Sequence, residues 1–418
     1  MIVRDEEALL SRCLESVRGV VDEIVVVDTG SEDRTVAVAE RFGAEVIRFD
    51  WCDDFAAARN AGIEQATGDW ILVLDADEAL APDSAQALRA SMALEHGGFL
   101  LPLENDLGEG RRHQTRLLRL FRRHPDIRFK GRVHEQLSES ILALGLHVGD
   151  CAAVIRHDGY LPQRIAERNK HERNLALLET MRRENPSDPY VAYQYGKTLL
   201  ASGCATDAVV PLRESLAVLA RVEDPESYPF YSKVYLHLGS TLETSADLDG
   251  ALAVLQEGIE RLPDSPLLWL NYGCYARELG MAQEAFDAFE RCLAMDAEGK
   301  ERAAALSADM LWEDGQRQEA LVRYRFAASE AGVDAFSIWL KLASRAMELG
   351  EAEEAIGAYE VVAGLNPDYL PAQLALASLN FERGAFGAAQ RALEVVERLE
   401  PGRADVHFLL TACRDQAG

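Results

Sequence analysis

At 418 residues, with 48% hydrophobic and 27% charged side chains, the chain has room for two domains and the composition of a globular protein. Its formal net charge of −27 repels a phosphate backbone and argues against nucleic acid as a partner. No run approaches the roughly 20 apolar residues of a membrane span, and seven scattered cysteines without a C-x-x-C pair give neither a zinc site nor a disulfide framework.

"MIVRDEEALL" places two acids just after three apolar residues, which is no secretory leader. With the cysteine pattern, this sets the expectation of reduced thiols and a cytoplasmic setting. "MIV" predicts a first strand that is short because the chain begins at Met1. "EIVVVDTG" predicts a strand ending at a turn, and "SEDRTVAVAERFG" a helix stopped by Gly43. "AEVIRF" is a further strand, and "DFAAARNAGIEQATG" a helix closed by Gly68. "WILVLDAD" is the next strand, and "PDSAQALRASMALEHGG" a helix begun by a proline. Apolar strands alternating with helices imply an α/β domain whose parallel sheet is covered on both faces.

From about Pro186 the pattern becomes helical and repeats. A small residue recurs at Gly196, Gly239, Gly273, Ala308, Ala343 and Ala377, the later steps being 34 or 35 residues. Seven residues on stands a turn position: Gly203, Ala246, Gly280, Gly315, Gly350 and Gly384. Five further on is a second small residue, from Ala208 to Ala389. Four beyond that is a bulky one: Leu212, Leu255, Phe289, Tyr324, Tyr359 and Leu393. Small residues let two antiparallel helices approach, and the bulky residue is expected to pack on the next pair. The longer early step leaves room for an insertion around "VEDPESYPFYS". The pattern resembles the tetratricopeptide repeat. Six units are expected over 186–402, forming an all-α superhelix, with a linker helix over 163–185 before them and a capping helix over 403–418 after.

The acids at the strand ends carry the chemistry. Ligands of a parallel sheet collect at the carboxyl ends of its strands, where Asp28 closes "EIVVVD" and Asp75 and Asp77 close "WILVLDAD". Two carboxylates one residue apart suit a hard divalent cation, Mg²⁺ or Mn²⁺, shared with substrate phosphates.

Four motifs in order, "MIVRDEEALLSRCLESV", "VDTGSEDRT", "ARNAGIEQATGDWILVLDADE" and "GRVHEQL", resemble family 2 glycosyltransferases of the Rossmann-like GT-A fold over residues 1–162. That resemblance implies that Asp28 contacts the nucleoside of a sugar donor. It places Arg59 and Asn60 near the nucleotide and diphosphate, Asp75 toward ribose and metal, and Asp77 on the metal. An inverting transferase needs a general base for the acceptor. Glu135 is the candidate, with His134 second, although many such enzymes read "ED" where this chain reads "HE". His157 is a further candidate for metal or diphosphate, and Arg168 and Lys170 are candidates for the leaving phosphates.

A domain of this kind joined to such repeats resembles the sublancin-type peptide S-glycosyltransferases and their bacterial relatives. It implies a nucleotide-sugar donor, with UDP expected, and a peptide or protein acceptor held partly by the repeats, which also offer a surface for a homodimer. Two other readings stand beside it. One is a transferase for lipopolysaccharide or another envelope glycan, docked through the basic stretch 111–132. The other is a non-catalytic scaffold.

Overall fold

The apolar residues after Met1 form β1 (Ile2–Val3), parallel to β2 (Val25–Asp28), which is parallel to β3 (Glu45–Arg48). Helices α1 (Leu10–Ser16) and α2 (Thr35–Arg41) make the crossovers, and Gly43 ends α2 in the left-handed region. Val3, Leu10, Leu14, Val26, Val38 and Ala39 are buried together between helices and sheet. The computed structural model describes residues 1–106, 112–157, 164–295, 297–330 and 335–417, in two compact units, Met1–Pro225 and Glu226–Gly418.

Helix α3 (Phe55–Gln65) starts at Asp54, whose carboxylate accepts the Ala57 N–H at 2.9 Å. Beyond it the expected parallel order ends. The run "WILVLDAD" breaks into β4 (Trp70–Leu72) and a turn that leads to β5 (Glu78–Leu80). The break has a local cause: the Glu78 N–H donates to the Asp75 carbonyl at 3.0 Å, and the Glu78 carboxylate accepts the Asp75 N–H at 2.9 Å. Next come α4 (Ser84–Met92), β6 (Gly98–Asp106), β7 (Arg112–Arg122), α5 (Ser138–Leu142), β8 (Val148–Asp150) and β9 (Ile155–His157). Among the described residues the second sheet runs β4-β7-β6-β9-β5, with β8 beside β6. It is mixed: β6 lies parallel to β8 and β9, and the other pairs are antiparallel.

Three helices complete the first unit: α6 (Arg164–Glu184), α7 (Pro189–Ala201) and α8 (Ala205–Leu219). The unit that holds the sheets therefore runs past the expected start of the repeats at 186. The reason is apolar. Val133 is buried in one cluster with Leu177 and Leu178 of α6 and Val191 of α7.

The second unit consists of helix pairs: α9 (Tyr231–Thr244) with α10 (Leu248–Arg261), α11 (Pro266–Glu278) with α12 (Ala282–Ala294), and α13 (Lys300–Glu313) with α14 (Arg317–Glu330). Then come α15 (Ala335–Glu348) with α16 (Ala352–Leu365), α17 (Leu370–Glu382) with α18 (Phe386–Leu399), and α19 (Ala404–Ala417). Every expected turn position, including Ala246 at φ 61°, is left-handed. The small residues are small for a visible reason. A Cβ on Gly196 would meet Leu212 at 2.6 Å, and one on Gly273 would meet Phe289 at 2.6 Å. These bulky side chains thus fill the space over the small residue of their own pair, and Phe289 also shares a buried cluster with Ala303 of the next pair.

Candidate active site

The loops after β1 and β2 are laced together at the carboxyl ends of those strands. Asp5 accepts the Glu32 N–H at 2.7 Å, the Glu6 N–H donates to Thr35 Oγ1 at 2.7 Å, and Glu7 accepts the Arg34 N–H at 2.9 Å. Asp28, buried at the end of β2, accepts the Ser31 N–H at 3.1 Å. "RDEE" and "VDTGSEDRT" therefore form one rim.

Half-buried Asp75 lies at the centre of an ionic network whose other members are largely buried. Arg59 Nη2 donates to its Oδ1 at 3.0 Å, and Arg119 Nη2 to its Oδ2 at 2.9 Å. Arg119 also donates to Glu78 Oε1 at 2.5 Å, and Arg59 Nε to Glu135 Oε1 at 2.5 Å. Burial alone raises a carboxyl pKa, but for Asp75 the Arg59 and Arg119 charges win and hold it well below the usual range. Glu78, only 2% exposed, is pushed up by burial, against Arg119 and with the repulsion of Asp75.

The next acid has a different neighbourhood. Asp77 Oδ2 is 3.0 Å from His157 Nε2, and His157 Nδ1 is 2.7 Å from Asn105 Oδ1. The hydrogen bond to Asp77 raises the His157 pKa in spite of partial burial. Arg12 fixes the Asp77 backbone by donating to its carbonyl at 2.9 Å. Glu6 faces this corner; burial and then the Asp77 charge hold its carboxyl up at about 7. A cation bound at this corner would relieve the repulsion between Asp77 and Glu6. Asp77 and His157 fit a divalent metal: one offers a carboxylate oxygen, and the other an imidazole Nε2 oriented by a hydrogen-bonding partner on its far nitrogen. Asp75 fits less well, because each of its oxygens already accepts from a guanidinium. Among the described residues no ready-made cluster of three or more ligating side chains is present, so substrate oxygens and waters would complete such a site.

Two other expected residues sit close by. Asn60 is tied on both sides to Phe129, donating to its carbonyl and accepting its N–H, each at 2.9 Å, so its amide holds the chain that leads to Glu135. His134 lies at φ 54°; burial, followed by the Lys197 charge, lowers its pKa. Lys170 is exposed on α6, whereas the Arg168 side chain lies outside the described residues, as do residues 158–163. The basic stretch is largely engaged within the fold. Arg119 enters the network, Arg122 donates to the His96 carbonyl at 2.8 Å, Arg123 to the Gly68 carbonyl at 2.7 Å, and Arg128 to the His124 carbonyl at 2.9 Å. Among the described residues, these arginines of the stretch are thus tied into the fold.

The sequence reading missed Arg119, Glu78, Glu6 and Asn105. Only Glu78 and Glu6 carried a signal, since both sit inside the quoted motifs "DADE" and "RDEE".

Residues 1–147 match the glycosyl transferase family 2 model, and residues 267–298 and 346–413 match tetratricopeptide repeat models. A TPR repeat-containing protein of Synechococcus elongatus is 38% identical over 304 residues, covering 70% of this chain and 74% of that protein. The chain belongs to the family 2 glycosyltransferases, joined here to tetratricopeptide repeats, and it is a glycosyltransferase. It is also similar to the SPbeta prophage-derived glycosyltransferase SunS of Bacillus subtilis, at 28% identity over 54% of this chain and 55% of SunS. An uncharacterized glycosyltransferase of Rickettsia felis is 40% identical over 83 residues, 20% of this chain and 29% of that protein. The chain thus spans about three quarters of the first relative and about half of the second.

Proposed function

We propose that the protein is an inverting, divalent-metal-dependent transferase that moves a sugar from a nucleoside diphosphate sugar, specifically a UDP-sugar, to a side chain of a peptide or protein. The observation that carries this reading is convergence. Arg59 joins Asp75 to Glu135, 76 residues further along the chain from Arg59, and His157 meets Asp77 across 80 residues. Motifs far apart in sequence thus close on one corner beside the Asp28 rim.

In this reading Asp28 takes the nucleoside. Arg59 Nη1 is buried without a hydrogen-bond partner and retains an N–H for an oxygen of the donor. Asp77 and His157 would hold Mn²⁺ or Mg²⁺, which when bound supplies positive charge to the departing diphosphate. Glu135, oriented by Arg59, takes the acceptor's proton as its nucleophile attacks the anomeric carbon on the face opposite the leaving group. The helix pairs of the second unit provide the kind of stacked surface that suits an extended peptide.

The test is release of nucleoside diphosphate from a panel of UDP- and GDP-sugars with Mn²⁺, Mg²⁺ or EDTA, with and without candidate peptides. Metal-dependent release from one UDP-sugar, stimulated by a peptide that gains the sugar mass, supports the reading. Release from GDP-sugars alone, or unaffected by EDTA, would sink its donor or metal component.

A further inference from the structure

The turn that carries His134 and Glu135 is gripped from the helical side of the first unit. Lys130 and Gln136 close it with a reciprocal pair of backbone hydrogen bonds, both 2.9 Å. Inside the closure His134 is left-handed at φ 54°. For a non-glycine residue this conformation is unfavourable, so it persists where the surroundings over-determine it. Here those surroundings are specific. The Tyr190 hydroxyl, in the first turn of α7, accepts from Gln136 Nε2 at 2.8 Å and from Gln194 Nε2 at 2.7 Å. It also faces the His134 carbonyl at 3.4 Å, to which Gln136 Nε2 donates at 3.1 Å. Asp188 anchors this end of α7 by accepting the Tyr190 N–H at 2.9 Å. Below, Val133 is buried against Leu177, Leu178 and Val191, and Arg132 pairs with Glu184 at 2.7 Å. The other side of the turn is held by Arg59 on Glu135.

We propose that Tyr190 is a positioning residue for sugar transfer: its hydroxyl fixes the backbone at His134 and thereby aims the Glu135 carboxylate. The first helical repeat is then part of the catalytic unit. This rests on Glu135 acting as the base. Tyr190 itself touches no reacting atom, so its loss slows transfer and leaves donor binding, at the Asp28 and Arg59 end, intact.

Tyr190→Phe keeps the ring and removes only the oxygen. For the full chain and the donor it turns over, we expect kcat to fall about tenfold, with donor KM unchanged within about twofold and the melting temperature unchanged. Tyr195→Phe, whose ring packs in the same cluster, is expected to keep kcat. On a Glu135→Gln background Tyr190→Phe is expected to add no further loss, because a residue acting through Glu135 is coupled to it. Wild-type kcat in Tyr190→Phe overturns the proposal. So does a loss that persists undiminished on Glu135→Gln, or one matched by Tyr195→Phe and a fall in melting temperature. If the wild-type chain releases no nucleotide from any donor, the transferase reading above fails first, and this proposal falls with it.

Discussion

In the second unit, ion pairs recur at similar sequence separations. Arg277 reaches Glu313 over 36 residues, Lys341 reaches Asp309 over 32, and Arg383 reaches Glu353 and Arg398 reaches Asp368 over 30 each. In the first unit the separations share no period: 16 for Arg59–Asp75, 44 for Arg119–Asp75, 76 for Arg59–Glu135 and 80 for His157–Asp77. The repeat pairs are largely exposed, and each duplicates its neighbours' task. The network around Asp75 is single, and its members other than Asp75 are largely buried. Redundancy therefore protects the array, while the site depends on each partner.

The contrast breaks first at Arg119. Arg119→Met leaves Glu78 buried without its guanidinium partner, and removing one partner of a buried ionic group costs about 3–5 kcal/mol. Arg383→Met removes an exposed partner, where the expected loss is below about 1 kcal/mol. Urea unfolding of the two variants measures the difference. Equal midpoints would show that the network is not the more fragile element.

Asp77→Ala tests the site without touching that network, because Asp77 bonds to His157 and not to Arg119. We expect nucleotide release to fall at least about a hundredfold, the scale on which a metal stabilises developing charge, while the urea midpoint stays put. EDTA is expected to produce the same loss in the wild type and almost none in the variant. A variant that is still sensitive to EDTA would remove Asp77 from the metal.

The array can be probed at the same repeat position in two of its units, with unequal effects. A Cβ on Gly273 meets the buried Phe289 ring at 2.6 Å, so Gly273→Ala overpacks and costs about 1–3 kcal/mol. The equivalent Gly239 has its nearest atom, on Leu255, at 3.3 Å. There Leu255 need give by only a few tenths of an ångström, and a helix-propensity gain of up to about 1 kcal/mol opposes that cost, so Gly239→Ala is expected to lose less than Gly273→Ala. Calorimetric melting of both variants, compared with the wild type, ranks the two effects.

The same contrast governs what could be read from the sequence. A repeat announces itself because packing imposes the same small residue at a recurring position, every 34 or 35 residues from Gly239 onward, and Gly196, Gly239 and Gly273 do lie beneath Leu212, Leu255 and Phe289. The D-x-D acids are legible because a strand end concentrates them. Arg119 is not, since one arginine in "RLLRLFRR" reads as a solvated strand position, and its partners lie 41 and 44 residues away. Tyr190 is hidden for the same reason: it sits inside the repeat pattern, while its oxygen serves a turn 54 residues earlier. The split of "WILVLDAD" also escaped, because it depends on the Glu78 side chain folding back onto the Asp75 N–H.

Among the six turn positions, Ala246 departs from the glycine rule. The other five turn positions are glycines, and all six adopt φ between 61° and 83°. Alanine there carries a Cβ in the left-handed region, at a cost of roughly 1–2 kcal/mol. Nothing compensates through packing, because Ala246 is exposed. Its N–H already donates to the Glu243 carbonyl at 2.8 Å, and that bond survives substitution. Ala246→Gly therefore removes strain from the native state but adds about 0.4–1 kcal/mol of freedom to the unfolded chain. The balance is a gain of about 0.5–1 kcal/mol, seen as a higher urea midpoint at unchanged slope. A lower midpoint would mean that the surrounding helices α9 and α10, rather than the local backbone preference, set the geometry of this turn.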